Sequence, residues 1–232
     1  MDITILASGS SGNCCLIDDG VTPLLLDCGL PFKEIQQKLN FKTSEIEACL
    51  ITHSHADHCQ GVKGLAKAGI DCFMNEATWQ TLTPSSHRCH ILKYPIDRFG
   101  IGSWEILAFD AVHDVPCVGY VLASPKIGKV LYLTDTAYTK FRFKGLTHIL
   151  IGCDYSSDIL KENVSNGSVD RELRRRVIQS HMSLETLLNM LQANDLSELR
   201  EIHLLHLSNT NADADLFKRR VMELTGKPVY VH

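Results

Sequence analysis

The densest chemistry in the chain lies in Leu50-Ile51-Thr52-His53-Ser54-His55-Ala56-Asp57-His58-Cys59-Gln60-Gly61. His53, His55, Asp57 and His58 put four candidate metal ligands within six residues. Imidazole nitrogen and carboxylate oxygen are the donors that zinc and similar divalent ions take. His53 and His55 are two apart, so an extended turn lets both face one ion. Asp57 and His58 are adjacent and are expected to point away from that pair, which suits a second ion. A solvated polar loop is the plainer reading. The apolar segment that leads in, and the glycine three residues on, favour the metal reading. Cys59 follows the ligands directly and reads as a packed thiol.

Other imidazoles and carboxylates end apolar segments. Leu24-Leu25-Leu26 leads to Asp27, and Val130 to Leu133 leads through Thr134 to Asp135. A carboxylate at the tip of a buried strand is costly without partners. A helix cap is the structural alternative for each. His113 ends a strand before Asp114-Val115-Pro116, and His206 ends Glu201-Ile202-His203-Leu204-Leu205. His148 and His203 read as packing, and His87 and His90 as surface residues. Asp154 either lines a pocket or caps the next helix. Arg171, Arg174, Arg175 and Arg176 run into Gln179-Ser180-His181-Met182-Ser183. On a helix, 171, 174 and 175 share a face. That face is either solvated or a track for phosphates.

Apolar segments must hold these groups. Strands are expected at Ile3–Ala7, Cys14–Ile17, Pro23–Asp27, Glu45–Ile51, Ile70–Met74, Trp104–Ala111, Val118–Ala123, Val130–Leu133, Thr147–Gly152, Glu201–Leu207 and Val229–Val231. Helices are expected at Phe32–Leu39, Val62–Ala68, Glu76–Thr81, Asp170–Ile178, Ser183–Gln192 and Asp213–Leu224. Thr83–Pro95 and Asn163–Ser168 read as loops. Ser8-Gly9-Ser10-Ser11-Gly12-Asn13 reads as a tight turn, with a phosphate contact by its N–H groups as the minor alternative.

Bulk properties narrow the class. The chain has 232 residues, 44% hydrophobic and 22% charged, with net charge -4. One domain over 1–232 is expected. No global basic field is present, so a nucleic-acid partner needs a local patch. No apolar run approaches the roughly 20 residues of a membrane span. No signal peptide is expected from the start of the chain. Nine cysteines without a Cys-x-x-Cys pair suit buried thiols in a reducing, cytoplasmic setting.

His53-x-His55-x-Asp57-His58 after an apolar strand resembles the signature of the metallo-β-lactamase fold superfamily. His113-Asp114 before Val118-Gly119, Asp135 after its strand, and His206-Leu207-Ser208 resemble its later motifs. The resemblance implies an α/β fold, a four-layer αββα sandwich. It also implies two divalent ions, zinc or manganese, which ligand identity does not separate. His53, His55 and His113 would hold the first, Asp57, His58 and His206 the second, and Asp135 would bridge. Asp27 would support the site from behind the ligands. Two ions about 3.5–4 Å apart stabilise the attacking and leaving oxygens of a displacement, and a water between them ionises near neutral pH.

Ser180-His181-Met182-Ser183-Leu184-Glu185, then Leu204-Leu205-His206-Leu207-Ser208, is similar to the end of RNase Z-like and YycJ-like nucleases. His181 would serve the scissile phosphate. Ala7 to Asn13 looks most like the YycJ group, known as DNA exonucleases. The chain is short for the inserted domain of RNase J, and no long insertion like the RNase Z arm is expected in it. The expectation is a phosphodiesterase, a DNA exonuclease, with Asp57 and His181 catalytic and Arg174, Arg175 and Arg176 on the substrate. DNA stands ahead of RNA as partner, no membrane is involved, and a homodimer is left open. The alternatives are a cyclic-nucleotide phosphodiesterase and a thioester or lactone hydrolase of glyoxalase type.

Overall fold

The computed structural model describes residues 2–93 and 95–232. Tyr94, within the expected loop Thr83–Pro95, lies outside them. Two compact units result: residues 1–110 with 115–127, and residues 111–114 with 128–232.

The first unit begins with apolar, β-branched segments that pair antiparallel, β1 (Asp2–Ala7) with β2 (Cys14–Asp18) and β2 with β3 (Leu24–Leu26). The all-apolar runs behave as parallel strands do when both faces are covered. β3, β4 (Ala48–Leu50), β5 (Asp71–Met74) and β6 (Cys89–Ile91) run parallel, completing the order β1-β2-β3-β4-β5-β6. Helices α1 (Phe32–Lys38), α2 (Ala56–Cys59), α3 (Val62–Lys67) and α4 (Glu76–Leu82) connect them. The Asn75 side chain caps α4 by accepting from the Thr78 amide. Then come β7 (Ile96–Ile101), β8 (Trp104–Ala111) and β9 (Cys117–Ser124), in the order β9-β8-β7.

Three expectations change here. The strand expected from Glu45 is confined to β4, because Glu45 and Glu47 are exposed and residues 43–45 form a 3-10 turn. The expected loop holds β6, whose Cys89-His90-Ile91 pairs with Cys72-Phe73-Met74. β7 was not expected; its charged residues obscure an alternation that ends at the buried Ile101. A buried carboxylate closes the far end of this unit. Asp19 accepts from the hydroxyls of Ser103 and Ser124 and the amides of Val21 and Thr22.

The second unit holds β10 (Gly128–Leu133), β11 (His148–Gly152), β12 (Glu201–Leu205) and β13 (Val229–Val231), parallel and in the order β13-β12-β11-β10. Its helices are α5 (Ser157–Ser165), α6 (Arg171–Ser180), α7 (Leu184–Gln192) and α8 (Ala214–Thr225). Side chains of Asp170, Ser183 and Asp213 cap α6, α7 and α8. α5 takes the first part of the segment expected as a loop at Asn163–Ser168. Its Leu160 is buried with Tyr155 and Val169, and Val164 packs against them. His148 and His203 are buried as expected, bonded to Thr147 and to Glu201 and His232.

In both units the reactive side chains sit just past the C-terminal ends of parallel strands, where α/β folds place their chemistry. Asp27 follows β3, Thr52-His53 follow β4, Asp135 follows β10, Asp154 follows β11 and His206 follows β12.

Candidate active site

In the first unit, the single turn of α2 brings His58 back against His53. Their ring centroids are 4.1 Å apart, closer than the 4.7 Å between His53 and His55. His58 therefore does not point away from the His53–His55 pair, as its adjacency to Asp57 suggested. Asp57 Oδ2 lies 3.6 Å from His58 Nε2. Cys59 is buried, with its thiol donating to the Ser54 carbonyl, as a packed cysteine should.

Asp27 organises this cluster from beneath. It is fully buried and accepts from the Thr52 amide at 2.8 Å, from the Thr52 hydroxyl, and from His58 Nδ1 at 2.7 Å. A carboxylate here only accepts, so the His58 proton must sit on Nδ1 and the lone pair on Nε2. Thr52 has one hydroxyl proton, and Asp27 takes it. The contact of 3.0 Å between Thr52 Oγ1 and His53 Nδ1 is then donated by His53. His53 is thereby held with its lone pair on Nε2 as well. The geometry costs backbone strain, since Asp27 sits at φ 56.

The turn before β2 reaches the same place. Asn13 donates its amide N–H to the Asp57 carbonyl at 2.7 Å, and its side-chain amide lies 3.0 Å from His58 Nε2. Gly29 has to be glycine there, because a Cβ would fall 1.6 Å from the Asp57 carbonyl oxygen. Asn75 holds the loop from the other side, donating to the carbonyls of Pro116 and Thr52.

The second unit repeats the device. His113 Nδ1 lies 2.8 Å from the Ser180 carbonyl, which can only accept, so Nδ1 carries a proton and Nε2 is the atom left to face the cluster. His206 Nδ1 lies 2.6 Å from Asp154 Oδ1, with the same result. His206 Nε2 lies 3.7 Å from Asp135 Oδ2, and His113 Nε2 lies 3.1 Å from Asp114 Oδ1 and 3.9 Å from Asp135 Oδ2. His206, like Asp27, sits at φ 56.

His181 joins this cluster. Its Nδ1 is 3.0 Å from Asp154 Oδ1 and 3.8 Å from Asp135 Oδ2. Its ring lies against those of His206 and His113. Burial draws its pKa down, but the carboxylates of Asp154 and Asp135 outweigh burial and raise it. Burial dominates at His113 and lowers its pKa, which favours the neutral ring a metal ligand needs. Donor atoms of Asp135, His181 and His206 lie within 4.8 Å of one another, a spacing that could hold an ion.

Backbone ties explain the convergence. The amide of Asp154 donates to the Met182 carbonyl, that of Ser208 to the Asp154 carbonyl, and that of Leu184 to the Tyr155 carbonyl. The tail of β11 thus splices the His181 segment to the His206 loop. Asp154 settles as a positioning group rather than a cap. Like Asp27 and Asp135, it follows an apolar strand, and that pattern was the signal for it. Asn13 and Ser180 carried no comparable signal, since one lies in a turn and the other acts through its backbone.

The arginines divide. Arg174 is half-buried, and its charge reaches Tyr155. Arg175 and Arg176 are exposed and, with Asp170, Glu172, Leu173 and Gln179, line a surface cavity of about 560 Å³. Helix α6 spans Arg171–Ser180, so Arg171, Arg174 and Arg175 share a face as expected, and acidic groups stand among the cations. His90 is tied to Asp71, and His87 is exposed. Among the described residues, no helix is long and apolar enough to cross a membrane.

A donor set of this kind fits a divalent ion. His53, His58, His113 and His206 each set Nδ1 against a fixed polar atom, as metal-binding histidines do, so that Nε2 is the ring atom turned to the cluster. Residues 22–206 match the family described as "Beta-lactamase superfamily domain". The chain is 32% identical over 225 residues to exodeoxyribonuclease WalJ of Streptococcus pneumoniae, covering 90% of this chain and 82% of that protein. It is 25% identical over 236 residues to exodeoxyribonuclease YycJ of Bacillus anthracis, covering 97% and 89%. Among solved structures, the metallo-β-lactamase fold protein YhfI of Bacillus subtilis superposes with TM-score 0.75 at 17% identity, covering 99% of this chain and 95% of that one. The chain has the metallo-β-lactamase fold and belongs to the β-lactamase superfamily, in the branch of the YycJ and WalJ proteins.

Proposed function

We propose that the chain is a metal-dependent exodeoxyribonuclease. The observation that carries this reading is the shared anchoring of His53, His58, His113 and His206, each with Nδ1 held against a fixed polar atom. Kinship with two proteins named exodeoxyribonucleases supports DNA as the substrate. The ligand set we assign is His53, His55 and His113 for one ion, Asp57, His58 and His206 for a second, with Asp135 shared. Zinc and manganese both suit these donors. When bound, such ions supply Lewis-acid polarisation of the phosphoryl group and lower the pKa of water.

The remaining steps belong to the chain. Asp27 and Asp154 fix the imidazoles that face the ions. His181 keeps a proton on Nδ1, against the Asp154 carboxylate, and presents Nε2–H to the scissile phosphate or the leaving oxygen. Arg175 and Arg176 on α6 take phosphates beyond the one being cut, with Arg174 behind them. Nine free thiols, eight of them buried, accord with a reducing, cytoplasmic setting.

The test is turnover by purified protein, loaded with zinc or manganese, on end-labelled single- and double-stranded DNA, RNA, a cyclic nucleotide and a thioester. Mononucleotide release from DNA ends is expected as the fastest reaction. Faster turnover of the cyclic nucleotide or the thioester overturns the assignment. His181→Ala should lower DNA turnover by roughly 10²–10⁴-fold and leave DNA affinity in place.

A further inference from the structure

Nine cysteines lie among the described residues, and eight of them are buried. Cys89 is the half-buried one, on β6 at the edge of the six-stranded sheet. Its register partner on β5 is Cys72, which is fully buried. Registered neighbours on adjacent strands lie about 4.8 Å apart. A disulfide spans Cα separations of about 4.4–6.8 Å. The pair therefore needs rotation of side chains and no movement of strands. We propose that Cys89 is a reactive thiol and Cys72 its resolving partner, the two being converted to an intramolecular disulfide by a peroxide-class oxidant.

The surroundings favour that division of labour. The neighbouring Cys72 thiol, with His90 alongside, brings the Cys89 pKa down from 9.0 to about 7. The same contact, with burial, pushes Cys72 far up. Burial also raises Cys14, Cys49, Cys59 and Cys153. Reactive thiols are those that are both reachable and ionised. Cys89 meets both conditions, whereas Cys72 has a neighbour to attack but no route for solvent.

The chemistry balances in two steps. Cys89 thiolate attacks one peroxide oxygen, an S–O bond forms, the O–O bond breaks, and hydroxide or alkoxide leaves. The sulfur is oxidised by two electrons to a sulfenic acid and the peroxide is reduced by two. Cys72 sulfur then attacks the sulfenic sulfur. The S–S bond forms, the S–O bond breaks, and the departing oxygen leaves as water with the Cys72 proton.

Peptide mapping tests this on the full chain. Trypsin cuts after Lys67, Arg88 and Lys93, so Cys72 falls in 68–88 and Cys89 in 89–93. With sub-stoichiometric iodoacetamide near pH 7.4, Cys89 should be alkylated about tenfold faster than any other cysteine, given its larger thiolate fraction. After mild peroxide, the two peptides should appear joined and separate on reduction. In Cys72→Ser, the joined species should vanish and Cys89 should accumulate as sulfinic acid. Cys89 alkylated no faster than its eight companions overturns the reactive-thiol assignment. Sulfinic acid at Cys89 of the unaltered chain, with Cys72 still a thiol, overturns the resolving role.

Discussion

Asp27→Asn isolates what the buried carboxylate does for the metal ligands. The substitution keeps shape, and asparagine tolerates the left-handed backbone at φ 56, so the main chain has no reason to move. What changes is hydrogen-bond polarity. Asp27 receives the Thr52 amide, the Thr52 hydroxyl and His58 Nδ1 on its two oxygens. An asparagine keeps one oxygen and places an N–H₂ where the other stood. If that N–H₂ meets His58 Nδ1, two donors collide unless the imidazole moves its proton to Nε2. That is the atom we assign to the metal. Loss of such a partner typically lowers metal affinity or activity about 10–100-fold, or roughly 1.4–2.8 kcal/mol. Zinc affinity by competition with a chromogenic chelator gives the first readout, and DNA turnover at limiting and saturating zinc the second. Turnover should recover in part at saturating zinc. Asp27→Ala should melt lower than Asp27→Asn, because alanine adds about 1–2 kcal/mol of strain in that conformation. Zinc affinity within twofold of the parent, in a folded Asp27→Asn, would refute the tautomer argument.

Three further outcomes follow. Asp135→Ala should lose at least one of the two ions we assign, by elemental analysis of the dialysed protein, and retention of both ends the bridging role proposed for it. A triple Arg174, Arg175, Arg176→Gln variant should lower the salt dependence of DNA binding by about 0.7–0.9 in log–log slope for each phosphate that an arginine no longer neutralises. Equal losses on a single-phosphodiester substrate would make α6 a solvated face. Asp19 should govern acid stability in the first unit. Burial pushes its pKa up, but the hydroxyls of Ser103 and Ser124 and the amides of Thr22 and Val21 outweigh it and hold it at about 2, against an ordinary 3.8. A depressed carboxylate stabilises the fold above its unfolded value, and that stabilisation is lost as pH falls from about 4 through about 2. Asp19→Asn should cost roughly 1–2 kcal/mol at pH 7 by urea unfolding, and distinctly less at pH 2; an equal cost at both pH values contradicts this account.

Legibility in the sequence tracked the scale of the signal. Asp27 and Asp135 stood out because each ends a run of apolar residues, and a buried carboxylate has few reasons to be there. His53 to His58 stood out by density. What stayed hidden was geometry that spacing does not encode. The ring contact between His53 and His58 depends on a single turn of helix after His55. Ser180 acts on His113 through a carbonyl that any residue would supply. Strand β6 has three residues and β7 mixes charged with apolar ones, so neither offers a period to read. The arginines show the same limit. Spacing put 171, 174 and 175 on one face of α6, but it did not say that Arg174 would be half-buried or that Arg175 and Arg176 would line one cavity.

The two residues at φ 56 outside glycine's usual province, Asp27 and His206, both follow parallel strands and both belong to the donor clusters. A strand that simply continued would turn these side chains toward alternate faces of the sheet. The left-handed step breaks that alternation and lets one carboxylate reach back under Thr52 and His58, and one imidazole reach Asp154 and Asp135 at once. Each step costs on the order of 1–3 kcal/mol and persists only where surrounding bonds over-determine it. The bonds that do so are on the same residues: three donors on Asp27, and a charged contact of 2.6 Å on His206. Strain and ligand orientation are thus two sides of one local design, which is why glycine at position 206, though free of the backbone cost, would lose the site while relaxing the loop.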